Sequence, residues 1–256
     1  MRGPVALVGG AEFLPPAAPL DAWLLERSGS PAVTVLPTAA REHHEMAVAT
    51  ARRHFQSLGG DVDAAMILTR SDAEDPGSRA RLAAARFLYL AGGDPRYLLS
   101  VLRGTPAWEG VIDALDAGSV LAGSSAGAMV LCEWMLVPGS EELDAALGLL
   151  PGLVVLPHHN RSHGRPGEVA AVVARVGTPP AGPPAGPRSP VGGRGAERTR
   201  PGLLGIDEAT GLVLEEAGGC RVLGAGSVTL YRAAPGVAAP AVLWTREAPA
   251  ELESCL

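Results

Sequence analysis

Leu121-Ala-Gly-Ser-Ser-Ala-Gly-Ala-Met129 is the stretch around which the chain is organised. A short apolar run, 119–122, reads as a buried strand, and 126–135 reads as a helix of small and apolar side chains. Between them, Gly123-Ser-Ser-Ala-Gly127 fits G-x-S-x-G. In that pattern the central Ser stands on a strand-to-helix turn too tight for large neighbours, so glycines flank it. The turn lifts the Ser125 hydroxyl to the carboxyl edge of a sheet. The N–H of Ala126 and the positive end of the following helix then face the place where an oxyanion forms. An ordinary β-α turn rich in Gly, Ala and Ser spells the same letters, so the surroundings of the motif must decide.

Upstream, the apolar runs 4–8, 32–36, 64–68 and 87–91 read as strands. Segments 20–27, 42–58, 78–85, 96–103 and 106–117 have helical spacing. Asp21 near the start of the first is ordinary capping chemistry, Gly59-Gly60 closes the second, and Pro106 opens the last. Short apolar strands alternating with helices predict an α/β fold, a mostly parallel sheet covered on both faces. Three of the strands run into glycines, at Gly9, Gly92 and Gly123. Ligands of such sheets bind beyond the carboxyl ends of the strands, where backbone must come close to substrate. Downstream, 137–144 is an acidic loop and 147–152 a turn. Strand 153–156 then delivers Pro157-His-His-Asn-Arg161, followed by a helix-like segment at 167–175. Residues 177–202 are Pro, Gly and Arg with almost nothing to bury, which predicts a disordered insertion. The remainder reads as a C-terminal β segment, with strands at 203–206, 211–214, 221–223, 228–231 and 242–245. One domain over 1–256 is the expectation.

Composition narrows the function. Hydrophobic residues make up 47% of the 256 but aromatics only 4%, so Ala, Val and Leu must fill the core. Net charge is −6 with no basic stripe, which argues against nucleic acid as a partner. Every one of the 21 basic side chains is Arg. Cys132, Cys220 and Cys255 are widely spaced and contain no C-x-x-C, which disfavours a zinc site and a disulfide framework. No leader precedes the first strand and no apolar run has membrane-spanning length, so the expectation is a cytoplasmic chain without a membrane partner. A homodimer stays open.

A Ser hydroxyl is a poor nucleophile until a base takes its proton, so Ser125 needs a His and a group to orient it. Of the six His, His43, His44 and His54 lie on the helix at 42–58 or at its start, where a solvated face accounts for them. Only His158, His159 and His163 follow Ser125. An α/β-hydrolase places its His much nearer the C-terminus, and this chain has none there. A compact order of Ser, acid, His remains, with Glu141, Glu142 and Asp144 between Ser125 and His158. The three late His have no acidic or Cys partner at a fixed spacing, so neither metal nor cofactor is expected. Cys132, on the helix after Ser125, reads as core, and Asp207 reads equally as a residue capping backbone amides at a strand-to-turn junction or as a group with a role near the active site.

Five pieces in order carry a resemblance. They are Val8-Gly-Gly-Ala-Glu12, Ala91-Gly-Gly-Asp94, Gly123-Ser-Ser-Ala-Gly-Ala128, Leu147-Gly-Leu-Leu-Pro151 leading to Pro157-His158, and Gly205-Ile-Asp-Glu208. Together the chain resembles the peptidase S51 family, the dipeptidase E and cyanophycinase group of the class I glutamine amidotransferase-like superfamily. The resemblance implies a flavodoxin-like three-layer fold. It implies Ser125 as nucleophile, His158 as general base, and the N–H groups of Gly93 and Ala126 as the oxyanion hole. The orienting acid would come from the loop after the nucleophile helix: Glu142 or Glu141 first, with Asp144 and Glu133 behind. Gly10, Asp94, His159 and Arg161 would line the substrate site. Two departures stand out. Pro95 follows Gly-Gly-Asp where the family commonly has Gln or Asn, and His159 stands where it usually carries an aromatic. The implied activity is serine-type hydrolysis of a small peptide or amide through an acyl-enzyme, an aspartyl dipeptide or β-aspartyl-arginine among the expected substrates. The alternative is an inactive or divergent amidotransferase-like protein holding a small metabolite or partner in the same cleft.

Overall fold

The computed structural model describes residues 2–140, 142–162, 202–215, 218–234 and 237–244. Its first half alternates as its apolar runs dictate. In order come β1 (Val5–Val8), α1 (Ala18–Ser28), β2 (Ala32–Leu36), α2 (His44–Ser57), β3 (Asp61–Ala64), α3 (Arg70–Glu74), α4 (Pro76–Ala83), β4 (Phe87–Leu90), α5 (Pro95–Leu102) and α6 (Pro106–Asp116). The strand β5 (Val120–Ser124) leads into α7 (Ala126–Leu131). Then follow β6 (Trp134–Leu136), β7 (Leu143–Ala145), β8 (Leu153–Leu156), α8 (His159–Ser162) and the strands β9 (Gly202–Ile206), β10 (Thr210–Leu214), β11 (Cys220–Gly224), β12 (Val228–Ala234) and β13 (Val237–Trp244).

The main sheet has the order β11-β10-β1-β5-β4-β2-β3. From β1 to β3 its neighbours are parallel, while β10 and β11 add an antiparallel edge beside β1. Successive side chains of a strand face opposite ways, so an all-apolar strand feeds two cores. In β4, Leu88 and Leu90 pack toward α5 and α6, with Leu98, Trp108 and Val111. Phe87 and Tyr89 pack toward α1 and α2, with Leu24 and Phe55. A second sheet, β13-β12-β9-β8, has β8 parallel to β9 and antiparallel pairs beyond it. The two sheets meet where β9 of the second turns into β10 of the first.

Several sequence expectations shift. The third strand is Asp61–Ala64 rather than 64–68. Its edge position needs only Val62 buried, and the more apolar 65–68 curls away, Ile67 O accepting from Thr38 Oγ1 at 2.6 Å. The helix after Ser125 ends at Leu131, not at 135, because Cys132 turns extended (φ −73°, ψ 173°). Trp134 then leaves the helix axis to pack on Val154, Leu156, Leu203 and Tyr231, and β6 pairs with β7 across what was expected as loop. The last strand starts at Val237 rather than 242. A helix not anticipated, α3, is nucleated by a capping box in which Thr69 accepts from the Asp72 N–H and Asp72 from that of Thr69. The expected helix at 167–175, the insertion up to 201, and Glu141, His163 and Cys255 lie outside the described residues. Among the described residues no helix is long and apolar enough to cross a membrane.

Candidate active site

Ser125 stands directly after β5 with φ 48° and ψ −107°, a conformation that costs a non-glycine residue free energy and persists only where its surroundings hold it. Its N–H donates to Val8 O of the neighbouring strand at 2.9 Å, which pins the turn to the sheet. The hydroxyl lies 3.0 Å from His158 Nε2. That His follows β8 by one proline, also sits at positive φ (52°), and is anchored by its own N–H on Gly9 O at 2.7 Å. Gly10 passes beneath the imidazole so closely that a Cβ there would come within 2.2 Å of Cε1.

The carboxylate on the far side of the imidazole is Glu208, with Oε1 2.9 Å from His158 Nδ1. This corrects the expected acid. Glu142 lies exposed between β6 and β7, its N–H on Ser140 Oγ; Glu133 is spent on the Gly152 N–H, and Asp144 is exposed on β7. Glu208 prevails because β8 and β9 are neighbours in the second sheet while β10 lies against β1 in the first. The turn joining β9 to β10 therefore passes behind His158. Its geometry is fixed from both sides: Asn160 Oδ1 accepts the Glu208 N–H at 3.1 Å, and Arg161 Nε meets Oε2 at 2.7 Å. Arg161, expected to grip substrate, is thus placed on the acid itself, with its side chain 74% exposed.

Gly93, after β4, has φ 141°, and the loop bearing it is held by the Asp94 N–H on Ala39 O. The preceding N–H, of Gly92, is committed to Glu12 Oε1 at 2.8 Å. Asp94 caps α5 through the Tyr97 N–H and pairs with Arg41 at 3.3 Å. Against this loop opens a cleft of about 540 Å³, lined among others by Ala39, Arg41, Glu42, Met46, Gly92 and Asp94. His159 points elsewhere. Its Nδ1 meets Asp207 Oδ1 at 3.3 Å and its Nε2 meets the Tyr231 hydroxyl at 2.8 Å. Asp207 does cap backbone, accepting from the Ser227 N–H and Oγ. Burial and the nearby Asp207 push the Tyr231 hydroxyl above its ordinary pKa. Cys132 is fully buried, and burial pushes its thiol far up, so it stays protonated core. No cluster of three or more His, Cys, Asp or Glu side chains able to hold a metal occurs among the described residues.

Comparisons with known proteins agree with this architecture. The profile of peptidase family S51 matches residues 5–178. A cyanophycinase from Trichormus variabilis is 32% identical over 242 residues, covering 88% of this chain and 72% of the relative. One from Synechococcus elongatus is 30% identical, over 90% and 68%. Among solved structures, a peptidase from an acI-B1 actinobacterium superposes with a TM-score of 0.74 at 28% identity, covering 92% of this chain and 93% of that one. A putative peptidase E from Listeria monocytogenes, at 16% identity, shares the fold alone, with a TM-score of 0.58, 88% of this chain and all of that one. The class is a peptidase on a mostly parallel, flavodoxin-like α/β fold. The chain belongs to peptidase family S51.

Proposed function

We propose that the chain is a serine-type hydrolase that cleaves a small peptide or amide through an acyl-enzyme. The observation that carries this reading is the continuous line from Ser125 Oγ through His158 to Glu208, with contacts of 3.0 and 2.9 Å. Glu208 holds the Nδ1 proton, so Nε2 is left as the acceptor facing the hydroxyl. Ser125 Oγ attacks the scissile carbonyl carbon as its proton passes to Nε2. The carbonyl oxygen becomes an oxyanion that the N–H groups of Gly93 and Ala126 would stabilise. The C–N bond breaks as the imidazolium returns the proton to the leaving amine, and water then releases the acyl group by the same steps. Strained φ values at both Ser125 and His158 support a site held for chemistry rather than for packing.

The cyanophycinase relatives support a peptide substrate and make aspartyl dipeptides, β-aspartyl-arginine included, the first panel to assay. A fluorophosphonate probe should label Ser125, with the adduct located by peptide mass, and labelling should vanish in Ser125→Ala. A wild-type protein left unlabelled, or labelling that survives the substitution, would remove the hydrolase reading.

A further inference from the structure

We infer that Glu12 is a positioning residue that sets the oxyanion donor and the nucleophile relative to one another. The inference rests on the hydrolase reading above. Glu12 does not touch the reacting atoms; its two oxygens hold the residue before each of them. Oε1 accepts the Gly92 N–H at 2.8 Å, one peptide ahead of the Gly93 donor. Oε2 accepts the Ser124 hydroxyl at 2.8 Å, one residue ahead of Ser125. One carboxylate therefore ties the ends of β4 and β5 together directly behind the place where charge develops. The approach is close: a Cβ on Gly92 would lie 2.6 Å from Oε1 and 3.3 Å from Ser125 Cβ.

The chain invests strain to bring Glu12 there. Gly10, Ala11 and Phe13 all have positive φ, at 118°, 56° and 60°. Two non-glycine residues in that region flank Glu12, a cost that only strong fixation of the segment sustains. Fixation is visible at both ends. Gly9 O and Gly10 O accept from the N–H groups of His158 and Ala209, and the buried Phe13 ring packs 4.8 Å from that of Tyr89 and 5.8 Å from that of Phe55. The same five residues thus support the imidazole at Gly10 and the donor loop and nucleophile turn at Glu12. A solvent-facing loop with no task would relax to unstrained angles.

Charge and geometry can be separated. In Glu12→Gln the amide oxygen still accepts the Gly92 N–H, and the amide nitrogen donates to Ser124 Oγ, which then acts as acceptor. In Glu12→Ala both ties are lost. The measurement is the rate of Ser125 phosphonylation by a fluorophosphonate as a function of probe concentration, which separates the saturating rate from probe affinity, alongside thermal unfolding. Glu12→Ala should lower the saturating rate by about 10²-fold, the loss typical of one misplaced oxyanion donor, with little change in affinity. Glu12→Gln should recover most of that rate. Folded Glu12→Ala reacting at the wild-type rate would overturn the proposal, as would Glu12→Gln reacting as slowly as Glu12→Ala. Should Glu12→Ala fail to fold, Ser124→Ala removes only the nucleophile-side tie and should still slow the saturating rate; an unchanged rate would be equally fatal. Failure of the underlying hydrolase reading looks different, since the wild-type protein itself then goes unlabelled at Ser125 and the role of Glu12 falls with it.

Discussion

In the proposed mechanism Glu208 works by fixing a tautomer. An imidazole free to carry its proton on either nitrogen, or to turn about its bond, presents the wrong face to Ser125 much of the time. A carboxylate 2.9 Å from Nδ1 removes both freedoms and would stabilise the imidazolium that the proposed attack forms. Replacing it by Gln leaves the shape and spoils the proton arrangement, so Glu208→Gln should lower turnover by about 10³- to 10⁴-fold. Glu142→Gln, on the exposed loop, should leave turnover near the wild-type level. Steady-state rates of the two variants on one substrate check the assignment directly, and the reverse order would return the role to the β6–β7 loop.

The turn after β1 and the turn after β9 are the two elements that make the site. At the first, Gly10 combines a φ of 118° with an approach to the His158 ring that leaves no room for a methyl group. Gly10→Ala should displace the imidazole, so turnover should fall far more than stability, for which about 1 kcal/mol is the expected loss from the backbone alone. Rates and thermal unfolding measured on the same preparation separate the two effects. At the second turn, consecutive residues make consecutive ties: Asp207 to His159 and Glu208 to His158. The outer pair holds the register of the inner one. Asp207→Ala removes the acceptor of the Ser227 N–H and the partner of His159 Nδ1, half-buried contacts worth about 1 kcal/mol each, and urea unfolding should show the loss together with slowed turnover.

Two sheets and a buried charge set how the assembled protein responds to its surroundings. Asp21 is wholly buried, with His54 Nε2 2.8 Å from one oxygen and the His54 ring packed against Phe13 and Phe55. Desolvation pushes its carboxyl above the ordinary carboxylate range, against the opposing pull of the His54 hydrogen bond. The sign follows: the folded state holds this proton more tightly than the unfolded chain does. The stability it contributes is complete below the unfolded value of about 3.9 and is lost as pH rises through the raised folded value. The stability of the wild-type protein relative to Asp21→Asn should therefore decline as pH climbs from about 4, read by urea unfolding at a series of pH values. A difference that grows with pH would show that the His54 pairing outweighs burial.

The tight turn at Ser125 and the apolar strands of the parallel sheet were readable in the amino-acid order, because each depends on neighbours within a few positions. Gly123-Ser-Ser-Ala-Gly127 dictates its own turn, and apolar runs punctuated by glycine dictate strands that end at a common edge. Local order left His158, His159 and His163 as candidates, and the family resemblance singled out His158, which the structure brings within 3.0 Å of the Ser125 hydroxyl. The acid was not readable. Glu208 is 50 residues beyond His158, and nearer carboxylates at 141, 142 and 144 compete for the role in any linear reading. Its motif, Gly205-Ile-Asp-Glu208, was visible, but its task was not. Only the pairing of β9 with β8 and of β10 with β1 folds that turn behind the imidazole, and strand pairing between distant segments is a property of the packed sheets rather than of local propensity.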